Sequence, residues 1–159
     1  MKYTCDIDTS LGSLTACAEN EALIGVWFVG QKRYPVGTND WRSNPDHFIF
    51  KNLRIWLKDY FLGNYEAPQI PINPSGTTFQ KKVWDILISI PFGKTTTYGE
   101  IAKILGIKSA RAIGSAVGRN PIAILIPCHR VIGYNGKLIG YAGGIDRKAS
   151  LLRLENCVL

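Results

Sequence analysis

The short run Pro127-Cys128-His129-Arg130 combines residue types that support nucleophilic chemistry. It follows the apolar stretch 122–126, so a buried segment ends in a rigid proline and then presents a thiol beside an imidazole and a guanidinium. Cationic neighbours favour the thiolate, which is the reactive form of cysteine. A lone cysteine is more often a small buried hydrophobe, but the adjacent His129 and Arg130 favour a reactive Cys128.

The remaining cysteines and the second histidine do not suggest a metal site. The four cysteines contain no CxxC pair, and the only histidines are His47 and His129. Cys5, Cys17 and His47 are the only candidate ligands in the first half, and their spacing is not that of a zinc site. We therefore expect neither a metal ion nor a cofactor, and we assign His47 a structural role.

The positive charge of the chain is concentrated in its second half. The formal net charge is +7 over 159 residues. Residues 1–75 carry seven Lys/Arg against eight Asp/Glu, about −1, and residues 76–159 carry twelve against four, about +8. This bias indicates a polyanionic partner, with nucleic acid as the leading candidate. A basic face that is merely solvated is the alternative.

Length and hydropathy bound the class of protein. A chain of 159 residues can bury roughly two-thirds of its unfolded surface, so folding requires neither a metal nor a disulfide. The sequence contains no apolar run of about 18 residues and no signal-peptide pattern. We expect no membrane association and a reducing, cytoplasmic location.

The first 76 residues are predicted to form an N-terminal α/β domain and linker. Three segments alternate in the manner of antiparallel strands: 2–7, 13–18 and 23–29. Asn44-Pro45 predicts the start of a helix that ends at Gly63. Residues 64–76 hold three prolines and predict a linker, which places a domain boundary near residue 76.

Residues 77–159 are predicted to form a mostly helical C-terminal domain that contains a helix-turn-helix. The sequence Thr-Tyr-Gly-Glu at 97–100 matches a reciprocal capping box, which opens a helix that Gly106 ends. Ser109 then caps a second helix, from Ala110 to about Val117. The predicted fold class is α/β (α+β), with a small N-terminal antiparallel sheet and helix before a winged helix-turn-helix domain.

Three further elements complete the predicted second domain. Thr78 is expected to cap a helix that reaches about Ile90. The Asn135-Gly136 pair predicts a hairpin between 131–132 and 138–139, which would form the wing. A final helix covers about 146–155, with leucines facing inward. Three of its basic residues are expected to face outward: Arg147, Lys148 and Arg153.

The second helix of the predicted helix-turn-helix carries small residues and one long cation. Ala110, Ala112, Gly114 and Ser115 form a thin face around Arg111. Such a face can approach a narrow groove closely, where an inserted cation can fill the gap left by an extruded base. Tight packing against a neighbouring helix is the alternative. A face that reads base edges would need several long polar side chains, so we expect minor-groove binding with little sequence preference.

Taken together, these residues resemble the O6-alkylguanine-DNA alkyltransferase family, also called methylated-DNA-protein-cysteine methyltransferases. The resemblance covers essentially the whole basic half, and the amino-terminal half is similar only in outline. The segments that carry it are 79–84, Tyr98, 110–114, Asn120-Pro121, 124–132, 141–144 and 151–155.

The resemblance implies a catalytic role for five matching residues. Cys128 would accept the alkyl group, while His129, with Glu155 linked through a water, would withdraw the thiol proton. Tyr98 would crowd the phosphate of the rotated nucleotide and donate a proton to the departing guanine. Asn120 would tie the recognition helix to the active-site turn. Taken singly, Tyr98, Asn120 and Glu155 could be an ordinary helix residue, a helix cap and a solvated side chain.

The resemblance also implies which residues contact the substrate. Arg111 would replace the flipped nucleotide in the stack, and Tyr141 with its neighbours would line the guanine pocket. At Ala142 many relatives carry a hydroxyl, so only a backbone contribution is expected there. The residues expected to contact the substrate or DNA are Ala110, Arg111, Ala112, Gly114, Ser115, Arg130, Val131, Tyr141, Ala142 and Gly143.

The implied function is repair of double-stranded DNA by a monomer that transfers an alkyl group from O6 of guanine, together with O4 of thymine, to Cys128. The product is a thioether, which offers water no electrophilic carbonyl, so each molecule would act once. Two other classes of function stay open. One is a non-catalytic winged-helix sensor of alkylated DNA, and the other is a cysteine hydrolase, which would need an oxyanion site and repeated turnover.

Overall fold

The computed structural model describes residues 1–157 and begins with a four-stranded sheet. Its strands are β1 (Tyr3–Thr9), β2 (Gly12–Glu19), β3 (Ala22–Phe28) and β4 (Arg42–Ser43). The spatial order is β3-β2-β1-β4, with antiparallel pairing among the first three strands and a parallel pairing of β4 with β1. The predicted antiparallel sheet is therefore confirmed, and β4 is an addition to it.

Helix α1 (Phe48–Phe61) packs on this sheet but begins later than predicted. Its N-cap is His47, whose Nδ1 accepts a hydrogen bond of 3.2 Å from the Ile49 N–H. The predicted start at Asn44-Pro45 is wrong because the Asn44 N–H donates to the Thr4 carbonyl at 2.9 Å, which keeps that segment extended beside β1. Capping is a structural role for His47.

Three helices follow, and their caps lie close to the predicted positions. Helix α2 (Thr78–Ser89) is capped by Thr77, one residue before the predicted cap. After the short strand β5 (Thr96–Thr97) come α3 (Tyr98–Leu105) and α4 (Ala110–Gly118). The Thr97 hydroxyl accepts from the Glu100 N–H at 3.1 Å, which is one half of the predicted box. Gly106 ends α3 at φ 68°, and the Ser109 hydroxyl caps α4, as predicted.

The predicted hairpin wing is wrong. Strand β6 (Val131–Ile132) pairs in parallel with β5, and a 3₁₀ turn at Tyr134–Gly136 follows it. Residues 137–140 form no strand. The buried Lys148 ammonium donates to the carbonyls of Ile139 (2.9 Å) and Gly140 (3.0 Å), which holds this segment toward the last helix.

Helix α5 (Ile145–Leu154) corrects a second prediction. Leu151 and Leu152 are buried as expected, but Lys148 is fully buried and does not face outward. Residues three and four positions apart share one face of a helix, so Lys148 lies on the face of these two leucines. Arg147 is half-buried, and its Nε donates to the Leu11 carbonyl at 2.8 Å.

The sheet also supports the segment that leads to Cys128. The Val26 N–H of β3 donates to the Pro121 carbonyl at 2.8 Å, and the Ala123 N–H donates back to the Val26 carbonyl at 2.9 Å. One hydrophobic cluster contains residues from both halves of the chain. None of the helices formed by residues 1–157 is long and apolar enough to cross a membrane.

Candidate active site

Cys128 begins a 3₁₀ turn, Cys128–Arg130, at the end of the apolar stretch. Its side chain is buried, and its backbone N–H donates to the Ile126 carbonyl at 2.8 Å. The approach to the turn is strained, since Ile124 has φ 70°, a conformation that is rare for a β-branched residue. Strain of this kind, of order 1–3 kcal/mol, persists only where surrounding contacts enforce it.

Asn120 provides two of those contacts. Its Nδ2 donates to the Ile126 carbonyl at 2.8 Å, and its Oδ1 accepts from the Ile122 N–H at 2.9 Å. The amide therefore bridges both ends of the stretch that contains Ile124. Asn120 directly follows α4 and its C-cap Arg119, so it links that helix to the turn that holds Cys128.

His129 and Glu155 form a buried pair. His129 Nε2 lies 2.7 Å from Glu155 Oε2, and both side chains are inaccessible to solvent. The predicted water between them is wrong, because the contact is direct. Burial acts to raise the pKa of Glu155, but hydrogen bonds from His129, Arg130 and Tyr60 lower it to about 2. Burial lowers the pKa of His129, so the imidazole is neutral near pH 7.

The tautomer of His129 follows from this pairing. An ionised carboxylate only accepts hydrogen bonds, so Nε2 carries the proton and Nδ1 carries the free lone pair. His129 Nδ1 is buried and has no hydrogen-bond partner among residues 1–157. The ring is therefore oriented by Glu155 with its second nitrogen available as a base.

Arg130 does not contact the thiol. Its Nε donates to Glu155 Oε1 at 2.7 Å, and its Nη1 donates to the Ile90 carbonyl at 2.7 Å. Its side chain is 4% exposed. The predictions that Arg130 promotes the thiolate and that it contacts DNA are wrong in this geometry, because the guanidinium is occupied by the carboxylate and the backbone.

The cation that acts on Cys128 is Lys148. Burial raises the pKa of the thiol, while the Asn120 side chain and the positive charge of Lys148 act to lower it. Burial in turn lowers the pKa of Lys148 to about 8, so it is protonated at neutral pH. Sequence reasoning missed this residue. Its spacing of three and four from the inward Leu151 and Leu152 was the signal that places it inside.

A cavity of about 170 Å³ reaches Cys128. Its walls include Tyr98, Gly114, Tyr141 and Ala142, which are all residues that the sequence predicts for the site. Tyr98 Oη donates to the Ile139 carbonyl at 2.9 Å, and burial raises its pKa to about 12. Tyr141 Oη is buried without a hydrogen-bond partner in the described part of the chain.

Two predicted wall residues lie elsewhere, and two unpredicted ones take part. Val131 is buried in β6, and Gly143 is covered by Tyr141 and Phe28, so neither lines the cavity. Lys32 and Arg33 of the first half do line it. The turn that contains them is over 90 residues from Cys128 in sequence, and no local pattern signals this contact.

Helix α4 presents a thin outer face beside the cavity. Ala110, Arg111 and Ser115 are exposed and Ala112 is half-buried, while Gly114 also borders the cavity. The opposite face is buried and carries Ile113 and the small residue Ala116, whose carbonyl accepts a hydrogen bond of 2.9 Å from Trp84 Nε1 of α2. Both interpretations of the small residues therefore have a counterpart in the structure, one on each face of the helix.

Residues 1–157 contain no group of three His, Cys, Asp or Glu side chains that is arranged to hold a metal ion. Cys5, Cys17 and Cys128 are buried free cysteines, and Cys157 is half-buried and also free.

The fold and the site define a class of proteins in which a buried cysteine borders a small cavity and the next residue, a histidine, is paired with a buried glutamate. Residues 78–157 match the family described as 6-O-methylguanine DNA methyltransferase, DNA binding domain. The methylated-DNA–protein-cysteine methyltransferase of Methanosarcina acetivorans is 44% identical over 154 residues, which cover 96% of this chain and 97% of the relative. The chain therefore belongs to the methylated-DNA–protein-cysteine methyltransferase family.

Solved structures agree with this assignment. The crystal structure of Mycobacterium tuberculosis O6-methylguanine methyltransferase has a TM-score of 0.89 and 42% identity, over 98% of this chain and 93% of that chain. The M. tuberculosis protein in complex with DNA has a TM-score of 0.87 and 41% identity, over 97% and 91%. The mixed fold with a small N-terminal sheet is thus shared along nearly the full length.

Proposed function

We propose that this protein repairs DNA by transferring an alkyl group from O6 of guanine, and from O4 of thymine, to Cys128. The observation that carries the proposal is the direct contact of 2.7 Å between His129 Nε2 and Glu155 Oε2. It leaves Nδ1 as a buried acceptor on the residue next to the only cysteine that lines the cavity among the residues described. The Cys128 thiol, held above its usual pKa by burial, needs such a base.

The proposed reaction transfers one alkyl group and two protons. The thiol proton passes to His129, whose imidazolium is stabilised by Glu155. The Cys128 sulfur forms a bond to the alkyl carbon, and the bond from that carbon to O6 breaks. The guanine leaves with the bonding electrons and takes a proton from Tyr98, whose raised pKa keeps it protonated as a donor.

The proposed transfer is irreversible and happens once per molecule. The product is a thioether, and water finds no electrophilic carbonyl in it. None of the residues around Cys128 supplies a route to break the new carbon–sulfur bond. The proposed chemistry uses no cofactor.

We propose that DNA is bound through its minor groove with little sequence preference. The support is the exposed outer face of α4, where Arg111 is the long side chain among small residues. An enzyme that acts on a base in a duplex must rotate it out of the stack, at a cost of a few kcal/mol. We propose that Arg111 fills the gap, that a monomer is sufficient, and that residues 77–159 form the DNA-binding domain while residues 1–76 support it.

The test is intact-mass spectrometry after mixing the protein with a duplex that contains O6-methylguanine. The expected result is one added methyl group, mapped by peptide analysis to Cys128. Cys128→Ala should gain nothing, and the matched control Cys157→Ala should gain the methyl group as the wild type does. Binding without any mass gain would instead favour the sensor, and repeated turnover of an ester would favour the hydrolase.

A further inference from the structure

Two cations border the cavity that holds Cys128, although both belong to the loop after β3. These are Lys32 and Arg33. Both are exposed, and neither forms an ion pair within residues 1–157. The other residues that line the cavity carry no formal charge at neutral pH: Tyr98, Gly114, Val117, Gly118, Cys128, Gly140, Tyr141 and Ala142. The formal charge on the cavity wall is therefore entirely positive.

The turn that carries these cations is fixed against the cavity. The Lys32 N–H donates at 3.2 Å to the carbonyl of Ala142, which also lines the cavity. Gln31 Oε1 accepts from the Phe28 N–H at 2.9 Å, and Gln31 Nε2 donates to the Lys32 carbonyl at 3.1 Å. Arg33 adopts φ 61°, which non-glycine residues rarely do. A strained residue that its surroundings hold in place at a site is a reason to look for function there.

We propose that Lys32 and Arg33 make this cavity selective for O6 substituents that carry a carboxylate over neutral substituents of the same size. The inference rests on the proposed function, because it concerns the group that Cys128 removes. The carbon under attack must lie against the Cys128 sulfur, so any group beyond that carbon extends into the same small cavity. There the formal charges it meets are those of Lys32 and Arg33.

Carboxymethyl is the smallest O6 substituent that carries a carboxylate beyond the carbon under attack. Cys128 Sγ would form a bond to its methylene carbon while the bond from that carbon to O6 breaks. Guanine would leave with the electron pair and a proton from Tyr98, and the product would be S-carboxymethylcysteine. The carboxylate takes no part in the bond changes, so its effect is electrostatic recognition.

The test compares two duplexes that differ only in charge at the adduct. One contains O6-carboxymethylguanine and the other O6-carbamoylmethylguanine, whose amide has nearly the size and shape of the carboxylate. The rate of Cys128 modification is followed by intact mass. Each exposed charge pair is worth about two- to fivefold, so we expect the carboxymethyl group to be transferred about fivefold faster at low salt. The ratio should shrink as ionic strength rises.

The double variant Lys32→Gln/Arg33→Gln tests whether these residues set the ratio. The expected result is a ratio close to one. The matched control Lys51→Gln/Lys58→Gln removes the same charge from the exposed surface of α1 and should keep the wild-type ratio. Both duplexes have the same phosphate backbone. A contact between these cations and phosphates therefore affects both rates equally and cancels in their ratio.

Two results would overturn the proposal. The first is a wild-type ratio near one while both groups are transferred. The second is a ratio that survives in the double variant; if both rates also fall equally there, Lys32 and Arg33 are phosphate contacts. Failure of the proposed function would look different, since O6-methylguanine would then add no mass to Cys128.

Discussion

Tyr60 Oη donates a hydrogen bond of 2.5 Å to Glu155 Oε2, the same carboxylate oxygen that lies 2.7 Å from His129 Nε2. Tyr60 and Glu155 are 95 positions apart in the chain. Burial raises the pKa of Tyr60, with the Glu155 charge acting in the same direction, so the phenol stays a donor. Helix α1 therefore contributes directly to the group that orients the proposed base.

Tyr60→Phe should move the acid limb of the pH–rate profile to higher pH. Without the phenol, one stabilising hydrogen bond to the Glu155 carboxylate is lost, and its charge acts more strongly on His129. The pKa of His129 should rise, and a protonated His129 cannot accept the thiol proton. We expect the pH at which transfer falls to half of its plateau rate to be higher in Tyr60→Phe than in the wild type, while transfer near pH 8 changes less, as measured by intact mass.

Tyr65→Phe is the matched control for that variant. Tyr65 lies in the same aromatic group, stacked on Phe92 at 4.5 Å between ring centroids, and no hydrogen bond joins it to Glu155. Its pH–rate profile should coincide with that of the wild type. If both variants gave the wild-type profile, Tyr60 would have no influence on the base.

Glu155→Gln should remove an acid-sensitive part of the stability. The folded-state pKa of Glu155, about 2, lies below its ordinary value. The unfolded chain therefore binds the proton more readily, so the carboxylate contributes stability above about pH 4.5, and this is lost as the pH falls toward 2. By linkage the contribution at pH 7 is about 3 kcal/mol.

Urea unfolding at several pH values measures this contribution. The difference in unfolding free energy between wild type and Glu155→Gln should be largest near pH 7 and should narrow below about pH 4.5. Glu66→Gln, at an exposed carboxylate, should leave the curve unchanged. A difference that is constant with pH would contradict the ionic network around Glu155.

Lys148→Met should slow alkyl transfer, because the positive charge of Lys148 favours the Cys128 thiolate. The variant loses a positive charge that lowers the pKa of Cys128 and two hydrogen bonds to the segment 139–140. Reaction of Cys128 with iodoacetamide, followed by peptide mass mapping, should slow as well. Arg153→Met, on the exposed face of the same helix, should react at the wild-type rate.

The parts of the fold that sequence reasoning predicted depend on signals within a few residues. Ser109 caps α4 through the Ala112 N–H, three positions away, and Gly106 ends α3 with its own left-handed conformation. Alternation along β1 places Cys5 and Ile7 in the core and leaves Asp6 and Asp8 exposed. Such features need no knowledge of the rest of the chain.

The parts that it missed depend on distant partners. The Asn135-Gly136 pair does make a turn, which the Gly133 N–H closes by donating to the Lys137 carbonyl at 2.7 Å, but the Lys148 ammonium then takes the carbonyls of Ile139 and Gly140. The hydrogen bond from Tyr60 to Glu155 likewise joins residues far apart in the chain. The local pattern predicted a reactive Cys128 next to His129. It did not predict which distant side chains contact these two residues.

Arg111→Ala should impair repair of duplex DNA far more than reaction with the free modified base. The exposed Arg111 side chain sits near the start of α4, on the outer face of a helix whose Gly114 borders the cavity. If it fills the gap left by a rotated base, its loss should slow transfer from a duplex about tenfold or more, because the unstacking cost of a few kcal/mol is no longer offset. A free base needs no rotation and should react nearly as before.

Arg119→Ala, at the other end of α4, removes the same charge and should reduce duplex repair only slightly. An equal loss of rate on both substrates would mean that Arg111 stabilises the site and does not fill the gap left by the base. The small residues on the outer face of α4 would then need another explanation.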